Sequence, residues 1–102
     1  MVDPTSDTFL NGRLVVHQMR NGYRLSIDAI LLAATVAPKP GERLLDLGTG
    51  CGIIPLIIAY RHPAVHIRAV EVQAQLAELA QNNFSANHLQ ERIRLIHGDL
   101  RR

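Results

Sequence analysis

RLLDLGTGCG, residues Arg43 to Gly52, runs from an apolar stretch through an aspartate into three glycines at alternating positions, Gly48, Gly50 and Gly52. A second apolar run opens at Ile53. Strand, acid, glycine-rich turn and helix in that order make a corner where a ligand can approach backbone closely. Arg43 to Leu47 is short and almost continuously apolar, as a strand covered on both faces should be.

Downstream, a strand–helix rhythm repeats. Ile53 to Tyr60 reads as a helix, with Pro55 in its first turn, where a missing amide costs little. Val65 to Val72 reads as a second strand with Glu71 near its end. Gln73 to Asn87 reads as a second helix, because Leu76, Ala80 and Phe84 share an i, i+4 stripe that Leu79 widens. Ile93 to His97 is a third strand, followed by Gly98-Asp99. Right-handed crossovers make the strands parallel, with the first central, the second beside it and the third outermost.

Upstream lies a leader. Met1 to Asp7 is polar with a proline and reads as a frayed end. Residues 13–25 read as a β-hairpin turning at Asn21-Gly22, with Tyr23 to Leu25 as the returning arm. Ser26 suits an N-cap, and Asp28 sits in the first turn, where an acid is favoured. Ala29 to Ala37 is apolar all round and is expected to be a buried helix. Pro38, Pro40 and Gly41 end it. The fold class is therefore α/β: a leader, residues 1–40, precedes the first βαβαβ half of a doubly wound domain, residues 41–102. The far edge of the first core strand has no partner in this reading. Such edges are seldom left bare, so a fragment of a longer protein is expected.

Three acids fall at or near strand ends: Asp46, Glu71 and Asp99. In a parallel sheet those ends share one edge with the glycine loop, and ligands bind in that crevice. Glu71 follows Gly48 by 23 positions. That spacing suits a carboxylate accepting from two ribose hydroxyls, and it equally suits an acid capping the next helix. Asp99 can accept from an adenine amine or simply end its strand. Asp46, inside an apolar run, needs partners, either loop amides or a ligand cation. The glycine spacing is G-x-G-x-G, with Ile53 where a dinucleotide fingerprint needs its third glycine. No GK[ST] ending follows, so neither a pyrophosphate nor a Walker A loop is favoured. A nucleoside with a small charged arm fits better.

Composition sets the frame. The chain of 102 residues is 47% hydrophobic and 20% charged, enough for one small domain. Net charge is +2, and ten of the eleven basic residues are arginine. That leans toward carboxylate or phosphate partners without amounting to a nucleic-acid footprint. Arg92, Arg94, Arg101 and Arg102 read as a solvated basic face. With one cysteine, Cys51, no intrachain disulfide and no CxxC site can form. The five histidines show no short ligand spacing, so no metal is expected. Nothing approaches a membrane span or a signal peptide, and a cytoplasmic location with no membrane partner is expected.

DLGTGCG, the acid Glu71 after the second strand and GD after the third resemble S-adenosylmethionine-dependent methyltransferases of Rossmann-like fold. FLNGRLVVHQMRNGYRLSIDAILLAA resembles the opening of the bacterial family that methylates the exocyclic amine of an adenine in a valine tRNA anticodon loop. The resemblance runs from about Phe9 to Asp99. It implies S-adenosylmethionine as cofactor, with Asp46, Gly48, Thr49, Gly50 and Gly52 around the methionine and ribose. It implies Glu71 at the ribose hydroxyls, Val72 beside it among the cofactor-binding residues, and Asp99 and Leu100 at the adenine. Ser26 and Asp28 would lie near the methionine end, with helix capping an equal alternative. The implied reaction is attack of an adenine amine on the sulfonium methyl. The Asn-Pro-Pro-Tyr motif of amino-methylating members is absent from residues 1–102, so no catalytic residue is assigned and the chain alone is expected to be inactive. tRNA is the implied partner, and Arg13, Arg20 and Arg24 are the leader's candidates for it. Ribosomal RNA or a protein glutamine are alternative substrates. Two other classes remain: a nucleotide-linked oxidoreductase, and a non-enzymatic chain that self-associates through its open sheet edge.

Overall fold

The computed structural model describes residues 4–9, 13–19 and 32–98. Its centre is a three-stranded parallel sheet of β3 (Arg43–Leu47), β4 (His66–Glu71) and β5 (Ile93–His97), in the spatial order β3-β4-β5. Two crossover helices join them, α1 (Ile53–Arg61) and α2 (Ala74–Ala86). β3 pairs Leu45 with Arg68 and Leu47 with Val70, while β4 pairs Val70 with Ile96 and Glu71 with His97. The strand order and all five elements follow the sequence reading to within about two residues at each end, the usual fraying of boundaries.

Alternation along the strands sorts the side chains onto two faces. Leu44, Ile67, Ala69, Ile93 and Leu95 join the core beneath the helices. Leu45 and Leu47 lie on the opposite face and are 61% and 58% exposed. α1 is buried nearly all round, through Ile53, Pro55, Leu56, Ile57, Ile58 and Ala59. It needs cover on two sides, and it has it: the sheet lies on one, and the leader supplies Leu14, Val16 and Ala33 on the other.

The leader differs from the sequence reading in two ways. The N-terminus expected to fray is a strand, β1 (Pro4–Phe9), antiparallel to β2 (Leu14–Met19). The register Phe9↔Leu14 brackets a second Asn-Gly pair in the sequence, Asn11-Gly12, whereas the 13–25 hairpin relied on Asn21-Gly22. The other edge of β2 is occupied over Val15 and His17 by side-chain amides of α2, which leaves no edge there for a returning strand. The proposed returning arm, Tyr23–Leu25, lies outside the described residues. The helix expected over 29–37 is helical at 32–35 and is not buried all round: Ala33 is covered, but Leu32 is 57% exposed.

Arg92 also departs from the solvated basic face. It is half-buried, and its guanidinium donates to the carbonyls of Ala59 (2.6 Å), Val65 (3.0 Å) and His62 (3.1 Å). The carbonyls of a helix's last turn lack intrahelical donors, and a cation there also complements the helix dipole. Arg94 is exposed as expected.

Candidate functional site

Of the sequence-predicted residues, Asp46, Gly48, Thr49, Gly50, Gly52, Glu71 and Val72 lie at or just beyond the C-terminal ends of β3 and β4. Asp46 and Glu71 lie on neighbouring strands and on the same face of the sheet. The loop between β3 and α1 is tied to β4 as well as to its own strand. The amides of Gly48 and Thr49 both donate to the Val70 carbonyl, each at 2.9 Å. Gly50 N–H donates to Glu71 Oε1 at 2.8 Å. The other carboxylate oxygen, Oε2, accepts from Gln73 N–H at 3.0 Å, at the N-cap of α2. Glu71 is 5% exposed and holds the glycine loop to the start of the next helix. The capping geometry and the ligand-facing geometry that the sequence left as alternatives are thus compatible: each oxygen accepts one N–H and retains capacity for a second donor.

The three loop glycines have different reasons to be glycine. All adopt positive φ: 71° at Gly48, 59° at Gly50 and 88° at Gly52. A Cβ at Gly48 or Gly50 would meet nothing within 4 Å, so their backbone faces open space. A Cβ at Gly52 would lie 2.5 Å from Phe84 Cε1. Gly48 and Gly50 therefore border open space, and Gly52 leaves room for α2.

Thr49 is buried and donates its hydroxyl to Asp46 Oδ2 at 2.7 Å. Burial pushes the Asp46 carboxyl above its ordinary range; the Thr49 hydrogen bond opposes this, and the nearby Glu71 charge adds to it. A raised value means that the folded chain holds this proton at pH values where the unfolded chain has lost it. Asp46 thus contributes stability at acid pH that disappears as pH rises through its folded pKa, and stays lost above it. Asp46→Asn keeps an acceptor for Thr49 and removes the charge. We expect it to melt above the native chain at neutral pH, with the difference vanishing toward about pH 4. Thermal melts across that range check this; a variant that melts lower at neutral pH removes burial as the dominant cause.

Val72 follows Glu71 and is 55% exposed, an apolar surface at the sheet edge. His97 Nε2 lies 3.1 Å from the Val72 carbonyl oxygen, which selects the tautomer protonated on Nε2. Gly98 N–H donates to the Glu71 carbonyl at 3.0 Å, so the end of β5 is fastened beside the same acid. Asp99, Leu100, Ser26 and Asp28 lie outside the described residues. Cys51, in the loop, is half-buried, and burial raises its thiol pKa. Among the described residues no helix is long and apolar enough to cross a membrane.

Sequence reasoning missed Asn83, Asn87 and His97. Asn83 has no exposed surface, and its side chain reaches both the leader and the glycine loop. The available signal was an Asn at i and i+4 on the face of α2 that also carries Phe84. Polar residues beside an apolar stripe are usually solvated, so the signal was weak.

The comparisons with known proteins agree with this geometry. A protein named tRNA1(Val) (adenine(37)-N6)-methyltransferase from Flavobacteriaceae bacterium (strain 3519-10) is 34% identical over 87 residues, covering 85% of this chain and 38% of that protein. One of the same name from Vibrio vulnificus (strain YJ016) is 39% identical over 80 residues, covering 78% of this chain and 34% of that protein. The chain thus spans little more than a third of these relatives. Among solved structures, a SAM-dependent methyltransferase from Geobacter sulfurreducens in complex with S-adenosyl-L-homocysteine superposes with a TM-score of 0.63 at 25% identity, over 74% of this chain and 30% of that one. The C-terminal domain of precorrin-6Y C5,15-methyltransferase from Rhodobacter capsulatus superposes with a TM-score of 0.67 at 26% identity, over 78% of this chain and 42% of that one. The sequence model described as methyltransferase small domain matches residues 22–102, and the chain belongs to that family.

Proposed function

We propose that this chain binds S-adenosylmethionine across the C-terminal ends of β3 and β4, as the cofactor-binding part of an enzyme that methylates the exocyclic amine of an adenine in tRNA. The observation that carries the reading is Glu71: a buried carboxylate at a strand end, held by two backbone amides beside a loop in which Gly48 and Gly50 face open space. The donor set fits the group. Glu71 can accept from ribose hydroxyls, and Asp46 with Glu71 makes the crevice suitable for a sulfonium cation. The same pair repels a pyrophosphate, which counts against a dinucleotide. Asp46, Gly48, Thr49 and Gly50 would hold the methionine and ribose parts, with Gly52 fixing the loop behind them. Val72 offers its apolar surface to the base, and Asp99 and Leu100, with Ser26 and Asp28, would complete the pocket.

When bound, the cofactor supplies a methyl group activated on sulfur. The chain's own contribution is orientation and a preset electrostatic environment. The tRNA adenine as substrate rests on the activity for which the relatives are named and on the leader's resemblance. In this reading residues 41–102 form the first half of the domain, residues 1–40 the leader, and the protein is cytoplasmic. The base-positioning motif has no counterpart in the 102 residues, so the chain alone gives no turnover.

Calorimetric titration with S-adenosylmethionine, and in parallel with a nicotinamide dinucleotide, tests the reading. Saturable binding of the first and none of the second is expected. No binding of S-adenosylmethionine to the folded chain, or tighter binding of the dinucleotide, rejects it. A second property has its own support: among the described residues nothing pairs with the outer edge of β3, and Leu45 and Leu47 are exposed on that strand. Self-association through this edge is expected on a sizing column at rising concentration, and a clean monomer throughout rules it out.

A further inference from the structure

The carboxamide of Asn83 is placed to connect two parts of the molecule. Its Oδ1 accepts from His17 N–H at 2.8 Å, and its Nδ2 donates to the His17 carbonyl at 2.9 Å. The second Nδ2 proton goes to the Cys51 carbonyl at 2.7 Å. One turn on, Asn87 repeats the pattern on Val15: Oδ1 accepts its N–H at 2.9 Å and Nδ2 donates to its carbonyl at 2.7 Å. The two amides complete the edge of β2 at alternate residues, as a neighbouring strand would. Only Asn83 also reaches the glycine loop.

The bond it makes there falls on a decisive peptide. The Cys51 carbonyl and the Gly52 N–H are two ends of one plane. The N–H end donates to Thr49 O at 2.9 Å, and the carbonyl end is held by Asn83. Behind Gly52 stands the ring of Phe84, the next residue of α2. The three contacts together hold the plane in this orientation. It links Gly48–Gly50 to the first turn of α1, where Gly52 is the N-cap.

We propose that Asn83 is a positioning residue for the cofactor site, locking the Cys51–Gly52 peptide most firmly when β2 is docked, so that the leader strand and the glycine loop open and close as one unit. The inference rests on the reading of that loop as the cofactor site. Its consequence is reciprocal: anything that favours docking of the leader raises cofactor affinity, and the cofactor tightens the leader by the same factor. Asn83 touches no reacting atom in this account and acts through the loop.

Amide hydrogen exchange on the full 102-residue chain tests this, with Asn83→Ala set against Asn87→Ala. Asn83→Ala should lose protection at His17, and Asn87→Ala should lose it at Val15 while His17 stays protected. Only Asn83→Ala should speed exchange at Gly50 and Gly52, by about tenfold for the loss of one buried hydrogen bond. Affinity for S-adenosylhomocysteine should fall about tenfold in Asn83→Ala and less than about twofold in Asn87→Ala. Unchanged loop exchange in Asn83→Ala, or equal acceleration in both variants, overturns the proposal. Should Asn83→Ala fail to fold, the native chain decides: a common opening free energy for the His17 and Gly52 amides supports the coupling, and separate openings overturn it. If the native chain binds no S-adenosylhomocysteine while loop exchange still follows Asn83, the coupling stands and the cofactor reading falls.

Discussion

Gly52→Ala is expected to destabilise the chain by about 2–5 kcal/mol, comparable to much of the stability a domain of this size possesses. Two costs act together. At φ 88° an L side chain is strained, typically by about 1–2 kcal/mol. The new methyl would also lie 2.5 Å from Phe84 Cε1 and 2.8 Å from Cζ, inside any tolerable contact. Phe84 is fully buried and cannot retreat without disturbing the core. Thermal and urea unfolding followed by circular dichroism measure the effect. Adding Phe84→Leu should recover part of the loss, because it relieves the clash and leaves the backbone strain. Gly48→Ala is the informative control: with nothing within 4 Å of its Cβ, it should cost only the backbone term. Equal losses at 48 and 52 would mean that the ring does not decide the matter.

The second large effect is at Glu71. Glu71→Gln should weaken S-adenosylmethionine binding by about tenfold to a hundredfold. It should also lower stability by about 1–3 kcal/mol. The side chain keeps its shape, but its amide nitrogen must face either Gly50 N–H or Gln73 N–H, both donors. Glu71→Ala leaves both amides without an acceptor and should do worse on each count. Calorimetry on folded samples separates the two effects. If Glu71→Gln binds within about twofold of the native chain, the carboxylate serves the loop alone.

Much of this architecture is written locally. Arg43 to Leu47 and Ile93 to His97 are short apolar runs bounded by turn residues, and periodicity fixes them residue by residue. The acids at the strand ends were equally legible, because a carboxylate in an apolar run is conspicuous. What could not be read depends on contacts between distant segments. The N-terminal strand looks frayed because Pro4 and Asp7 argue against it, and only a free edge on β2 makes pairing favourable. The sequence reading places the hairpin turn at Asn21-Gly22, whereas β2 pairs with the strand before it, a pairing between segments that local propensity does not favour. The roles of Asn83 and Asn87 could not be read, since nothing in their neighbourhood shows that a strand about 70 residues earlier needs its edge completed. Arg92 looked like one more surface cation until the carbonyls at the end of α1 gave it a position.

The tethering of the glycine loop to β4 and α2 has a consequence for the order of events during synthesis. Its fastenings outside the loop itself and its own strand, Val70, Glu71 and Asn83, are all made later than the loop. A nascent chain therefore carries the amides of Gly48, Thr49 and Gly50 unclaimed until β4 emerges, and the Cys51 carbonyl unclaimed by Asn83 until α2 does. Asn83 follows Gly48 by 35 residues, an interval of about 2–7 s at ordinary translation rates. The strand that displays the loop is made early, yet the loop acquires its shape only when the last of its partners leaves the ribosome.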